Sequence, residues 1–250
     1  MRARVTSPVP PIEPRPGRSD ADPVNCMQPS LFKCGDLAGE GLACRRGDRL
    51  VFARLDFRLA AGGALVLTGA NGSGKSSLLR LMAGLLAPAA GRLSWGGLPL
   101  AREPAAWHAA LHYVGHLDAT KPALTPREML GYWAALHSPD DEPAIPTALA
   151  AFGLAAIADW PCRWLSAGQR RRLALARLLA APAPIWLLDE PTAALDSDGE
   201  ERLAAAIAEH RARGGRVAVA THQPLDLDGA HELRLDAYAA LPEDALVASW

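Results

Sequence analysis

The chain lacks a charge excess, a paired-cysteine motif and any long apolar run, and each absence removes a class of protein. Its 26 Lys+Arg and 27 Asp+Glu leave a formal net charge of -1, so no global basic field draws nucleic acid, and binding DNA as a main task is disfavoured. The four cysteines, Cys26, Cys34, Cys44 and Cys162, form no C-x-x-C pair, which argues against a zinc knuckle or a disulfide framework and for reduced thiols in a cytosolic protein. The most apolar run, Ala148 to Ala158, is broken by Gly153 and falls short of the ~18 residues a spanning helix needs. If the protein works at a membrane, another chain must cross it.

What is present is size and apolar content. A chain of 250 residues with 50% hydrophobic side chains buries a sizeable core as one large domain, or one domain with an inserted subdomain. Residues 1–35 are different: Pro8, Pro10, Pro11, Pro14, Pro16 and Pro23 accompany arginines without apolar periodicity. That composition predicts a disordered Pro/Arg-rich extension. It has no apolar centre for a secretory signal, and its prolines forbid the amphipathic helix of a transit peptide. Met27 offers an alternative start, with the upstream segment untranslated. The domain is expected over 36–240, followed by a C-terminal tail at 241–250.

Leu65–Thr68 reads as a buried strand running into a glycine-rich loop, and Ser76–Leu85 then has helical apolar spacing. Arg92–Trp95 and Leu111–Val114 read as further strands. From Thr125 the pattern turns helical, because Thr125, Pro126 and Glu128 supply a capping hydroxyl, a proline at the first helical position and a glutamate three residues after the cap. Helices are expected to about Ala135, around Ala148–Ala151, and from Ala167 through Leu179. The strands Ile185–Leu188 and Val217–Ala220 flank an alanine-rich helix expected over Glu200–Arg213. The order predicts an α/β fold with a helical insertion at about 120–165.

Gly69-Ala70-Asn71-Gly72-Ser73-Gly74-Lys75-Ser76 matches G-x-x-x-x-G-K-[ST] at every fixed position, between a strand and a helix. Such a loop, with Ser77 continuing it, turns successive N–H groups toward a polyphosphate. Lys75 reaches the outer phosphates, and the Ser76 hydroxyl can ligate Mg²⁺. Asp189 and Glu190 follow the apolar run Ile185–Leu188. Asp189 can hold the Mg²⁺ shell, and Glu190 can act on a water attacking the γ-phosphate.

Leu165-Ser166-Ala167-Gly168-Gln169, then Leu188-Asp189-Glu190-Pro191-Thr192 and Leu195-Asp196, then Thr221-His222, resemble the signature motif, Walker B motif, D-loop and switch histidine of ABC transporter ATPases. The resemblance covers about 38–235. It implies a P-loop NTPase of the ABC ATPase type, with a mixed sheet core and an inserted helical subdomain, that hydrolyses ATP with Mg²⁺. It also implies a head-to-tail dimer of two copies, in which Ser166, Ala167, Gly168 and Gln169 of one copy meet the nucleotide of the other. Glu190 would then polarise water, His222 would contact the γ-phosphate, and Asp196 would link the copies.

Within that family, Met82-Ala83-Gly84-Leu85, Tyr113-Val114-Gly115-His116, Leu124-Thr125, Ser-Ala-Gly-Gln at 166–169 and Thr221-His222-Gln223-Pro224 are similar to the ATP-binding subunit of the haem exporter of cytochrome c biogenesis. This implies integral membrane permease partners, a peripheral place on the cytoplasmic face of the inner membrane, and a coupling role for His116, nine residues before Thr125. Two positions depart from the pattern. Arg45 or Arg46 stands where the family usually stacks an aromatic on adenine, and Leu117 follows His116 where glutamine is common. The competing readings are an ABC ATPase for another transported substrate and a soluble assembly or remodelling ATPase. His108, His112 and His116 are spaced by four as though on one helical face, but the strand reading of Leu111–Val114 scatters their rings, and no carboxylate or cysteine completes a metal site.

Overall fold

The computed structural model describes residues 35–137, 143–222 and 227–240. The extension up to residue 34, the alternative start Met27, Gln223, Pro224 and the tail at 241–250 lie outside the described residues. The chain forms β1 (Leu37–Arg46), β2 (Arg49–Leu59), β3 (Ala64–Thr68), α1 (Lys75–Met82), β4 (Ala90–Trp95), β5 (Leu98–Pro99), α2 (Pro104–Ala109) and β6 (Leu111–Val114). It continues through α3 (Pro126–His137), α4 (Ile145–Ala151), α5 (Ala167–Ala180), β7 (Ile185–Asp189), α6 (Ser197–Ala212), β8 (Arg216–Ala220) and β9 (His231–Arg234).

The strands divide into two sheets by sequence character. An antiparallel sheet has the order β2-β1-β4-β5, and a parallel sheet has the order β6-β7-β8-β3-β9. Every residue of β7 and β8 is buried, as continuous apolar runs covered on both faces require. From Arg54 onward β2 alternates instead: Leu55, Phe57 and Leu59 face in, while Arg54, Asp56 and Arg58 face out. This is the signature of a sheet with one solvated face. The turn joining β1 to β2 is only Gly47-Asp48, with Gly47 at φ 58, the backbone that a two-residue hairpin demands and that glycine adopts without strain.

One face of the parallel sheet packs with α1 and the antiparallel sheet through Leu65, Leu67, Leu78, Leu79, Phe52 and Leu55. The opposite face carries Val66, Trp186 and Val219 and packs with α5, α6 and the segment holding α3 and α4. That segment therefore shares its core with the sheet through α5, whose Leu173 and Leu175 are fully buried.

Most expected elements appear within a few residues. Thr125 and Glu128 form the expected reciprocal cap on α3, with the Thr125 N–H donating to the Glu128 carboxylate at 2.8 Å. The helix α6 starts at Ser197 rather than Glu200, because Asp196 caps it by accepting the Gly199 N–H at 3.0 Å. The first helix ends at Met82 rather than Leu85. The elements β1, β2, β5, α2 and β9 lie outside the sequence reading.

The three spaced histidines are dispersed as the strand reading requires: His108 is on α2, His112 is in β6 and His116 is in the loop beyond. His112 is buried, its Nε2 2.6 Å from the Ala181 carbonyl oxygen, and its ring stacks on His137 at 4.1 Å. A second stack, His210 on Trp186 at 3.9 Å, joins α6 to β7. Burial holds the His112 imidazole well below its ordinary value and lowers His210 to about 4. The folded chain keeps His210 neutral, whereas the unfolded chain protonates it below about pH 6.5, so stability is lost as pH falls from there toward 4. His210 alone accounts for about 3 kcal/mol of that loss. Urea unfolding followed at pH 7, 5.5 and 4.5 should show the midpoint falling with pH. His210→Gln should flatten that dependence relative to the wild type.

Candidate nucleotide-binding site

The site is built where β3, β7 and β8 end. Parallel pairing in the order β7-β8-β3 sets Asp189 opposite Ala220 and Leu67 opposite Ala220, so all three strands deliver their last residues to one edge. There the loop 69–74 leaves β3 and enters α1, whose N-cap Gly74 sits at φ 108 with no side-chain cap. The first N–H groups of α1 are thus left for a ligand, and the helix dipole favours an anion there. Lys75 is buried, and its ammonium donates to the carbonyls of Gly69 at 2.7 Å and Ala70 at 3.1 Å. The Ser76 hydroxyl donates to the Asp189 carboxylate at 2.8 Å. Asp189, 2% exposed, is thereby fixed beside the loop from 113 residues away.

Glu190 leaves β7 in a left-handed backbone, φ 48, uncommon for a side chain of this size and a mark of a constrained site. Its N–H donates to the Ala220 carbonyl at 2.8 Å. Its carboxylate accepts the His222 N–H at 3.3 Å and lies 3.4 Å from His222 Nε2. Asp189 and Glu190 are adjacent in sequence, yet one engages Ser76 and the other His222.

Around these groups lies a cleft of about 550 Å³, bounded by Lys75, Ser76, Asp189, Glu190, His116 and His222. The structure therefore brings together the loop lysine, the hydroxyl, both carboxylates and both histidines singled out in the sequence. Arg46, Arg49 and Val51 of the β1–β2 hairpin also line it. Arg46 is one of the two arginines expected there, whereas Arg49 has no motif to announce it. Asp236 was also invisible to motif reading, and its carboxylate accepts the Ala70 N–H at 3.2 Å, bracing the first turn of the loop.

The remaining motif residues lie elsewhere. Ser166, Ala167, Gly168 and Gln169 are not among the residues lining the cleft; they form the start of α5. The Ser166 hydroxyl accepts the Gln169 N–H at 3.1 Å, and the Gln169 side chain accepts the Ser166 N–H at 2.8 Å, a capping box that presents an exposed Ser166 and Ala167. Asp196 is likewise exposed at the start of α6.

A phosphate loop on a parallel sheet, a carboxylate tied to its serine and a second carboxylate beside a histidine define a P-loop nucleotide-binding protein. Residues 52–193 match the ABC transporter family, and the chain belongs to that family. It is 56% identical over 209 residues to the cytochrome c biogenesis ATP-binding export protein CcmA of Paramagnetospirillum magneticum, covering 82% of this chain and 96% of the relative. It is 58% identical over 217 residues to the protein of the same name from Rhodospirillum rubrum, covering 87% of this chain and 91% of the relative. Among solved structures, the ATP-binding subunit of an ABC transporter shares the fold with a TM-score of 0.68 at 24% identity, covering 74% of this chain and 79% of that one. The expected ABC-type P-loop fold is thus present, with one parallel and one antiparallel sheet.

A Cβ at Gly74 would lie 2.7 Å from Phe52 Cδ1 and 3.0 Å from Val51 Cγ1 in a left-handed backbone. Gly74→Ala should therefore weaken nucleotide binding by about tenfold or more. Titration calorimetry with a nonhydrolysable ATP analogue measures this, and unaltered affinity would contradict the loop geometry.

Proposed function

We propose that this chain is the ATP-hydrolysing subunit of a membrane ABC complex that serves cytochrome c biogenesis, energising haem export or the release of haem from a carrier. The observation that carries the hydrolytic half is the single cleft in which Lys75, Ser76, Asp189, Glu190, His116 and His222 converge. The biogenesis half is supported by the two export-protein relatives at 56% and 58% identity.

The loop amides and Lys75 hold the triphosphate and offset its charge. Glu190, oriented by His222, accepts a hydrogen bond from the water that attacks the γ-phosphate. Ser76 and Asp189 provide two hard oxygen donors side by side, which fits a magnesium ion. Bound there with the nucleotide, the ion would neutralise charge on the β and γ phosphates. In this reading the motif Ser166–Gln169, exposed at Ser166 and Ala167, supplies the second wall of the nucleotide site of another copy, with Asp196 linking the two. The placement of that motif away from the chain's own cleft supports this dimer.

Among the described residues no helix is long and apolar enough to cross a membrane; in this reading separate permease subunits cross it, and this chain sits peripherally on the cytoplasmic face of the inner membrane. An aromatic surface supports a dock for them. Trp160 and Trp164 are 50% and 63% exposed, and Leu117 is 82% exposed. The segments that carry them are stitched together by the Cys162 N–H to Leu124 carbonyl bond at 2.8 Å and the Arg163 N–H to Pro122 carbonyl bond at 3.1 Å. Lys121 lies 4.2 Å over the Tyr132 ring, and Arg163 lies 5.4 Å over Trp164. Exposed aromatics edged by cations are what interface anchors look like, and the loop carrying His116 borders them.

Glu190→Gln should reduce steady-state phosphate release by about 100-fold or more, with ATP binding and ATP-dependent dimerisation retained. Normal turnover in that variant would refute the assigned role. Replacing Trp160 and Trp164 together by serine should leave the isolated subunit's hydrolysis intact while abolishing its co-purification with the membrane subunits; undiminished recovery would place the dock elsewhere.

A further inference from the structure

Arg171 lies on the second turn of α5, five residues after Ser166, with its side chain only 3% exposed. A guanidinium has five N–H groups in a fixed planar fork, and here all five are engaged. Nε donates to the Pro191 carbonyl at 3.2 Å. Nη1 donates to the Gly115 carbonyl at 2.9 Å and the Asp118 carboxylate at 3.2 Å. Nη2 donates to the carbonyls of Asp189 at 2.8 Å and Glu190 at 2.6 Å. One side chain thus grips the backbone on either side of Glu190 and both flanks of His116, from the helix whose first turn is the Ser166–Gln169 motif.

We propose that Arg171 is a positioning residue for ATP hydrolysis, fixing the Glu190 backbone and the 115–118 loop in one rigid relation to the start of α5. The inference rests on the reading that Glu190 orients the attacking water and that His116, in the same cleft, couples the site to the membrane subunits. Two features of the site demand such a device. Glu190 holds a left-handed backbone, φ 48, which persists only where the surroundings over-determine it; the Arg171 bonds to carbonyls 189, 190 and 191 supply that restraint. The 115–118 segment has no strand partner after Val114, so its placement depends on side-chain bonds such as these. Because the fork is planar and fully used, tilting α5 must move both segments or break bonds to one of them. Contact of Ser166–Gln169 with a second copy is thereby felt at both the water-orienting carboxylate and the cleft histidine.

The test uses the full-length subunit assembled with its membrane partners. Arg171→Gln, which keeps at most two donors, should lower kcat by about 10- to 100-fold while KM for ATP and the affinity for a nonhydrolysable analogue stay within about twofold. Amide exchange should quicken in 115–118 and 189–193 together, but not in 69–77. Arg171→Lys, with three donors on one nitrogen, should restore part of kcat. Asp118→Asn, which spares every bond to a carbonyl, should cost less than Arg171→Gln. Wild-type kcat in Arg171→Gln overturns the proposal, as does a KM that rises in step with the loss of kcat and a uniform rise in exchange, the pattern of a merely structural residue. Should Arg171→Gln fail to fold, Arg171→Lys and Asp118→Asn decide, and wild-type kcat in both overturns it. Glu190→Gln is measured alongside. Normal turnover there sinks the functional reading itself, whereas an inactive Glu190→Gln beside a fully active Arg171→Gln sinks only the role of Arg171.

Discussion

The hydrogen bond from the Ser76 hydroxyl to the Asp189 carboxylate, 2.8 Å long, condenses the constraint on which the rest of the structure depends. It exists because two strands distant in sequence end at the same edge of a parallel sheet, one flowing into the phosphate loop and the other into a pair of carboxylates. Parallel strands must be covered on both faces. The apolar runs of β3, β7 and β8 therefore require α1 and the antiparallel sheet on one side and α5 and α6 on the other. The helices that satisfy this burial are the ones that carry chemistry. The first turn of α1 follows Gly74 with no side-chain cap, as an anion site requires, and α5 begins with the capping box of Ser166 and Gln169.

Constraint is concentrated around that edge. Gly74, at φ 108, lets the hairpin side chains Val51 and Phe52 press close. Glu190 is held left-handed by its own N–H bond to Ala220 and by the guanidinium of Arg171. Asp236, beyond β9, ties down the Ala70 N–H. The left-handed backbone of Glu190 costs on the order of 1–3 kcal/mol, and the surrounding bonds offset it. Under the proposed function, the benefit is that the dipoles and carboxylates need little reorganisation when a nucleotide arrives, which is where most electrostatic catalysis originates.

Much of the fold was legible because its signals are local. A run of apolar residues such as Ile185–Leu188 can hardly be anything but a buried strand once a carboxylate pair follows it, and Thr125-Pro126-Arg127-Glu128 spells its own cap. The hairpin β1–β2 was harder to see: its alternation is clean only from Arg54 onward, and register shifts interrupt its pairing with β1. Strand β9, polar and largely exposed, carries no pattern that distinguishes it from a loop.

The sequence by itself determined where the glycine-rich loop 69–76, the carboxylate pair Asp189–Glu190, the run Leu165–Gln169 and the Thr221-His222 pair lie, because each is a contiguous set of side chains that can be read without distant partners. Only the tertiary structure decided which of them share a cleft and which face away, and it alone revealed Arg49, Asp236 and Arg171. The physical reason is that Arg49 reaches the cleft only through the course of its hairpin, while the bonds of Arg171 and Asp236 end largely on backbone carbonyls and amides. Every residue offers those groups, so no choice of amino acid at the far end records the contact, and only the path of the folded chain brings the two ends together.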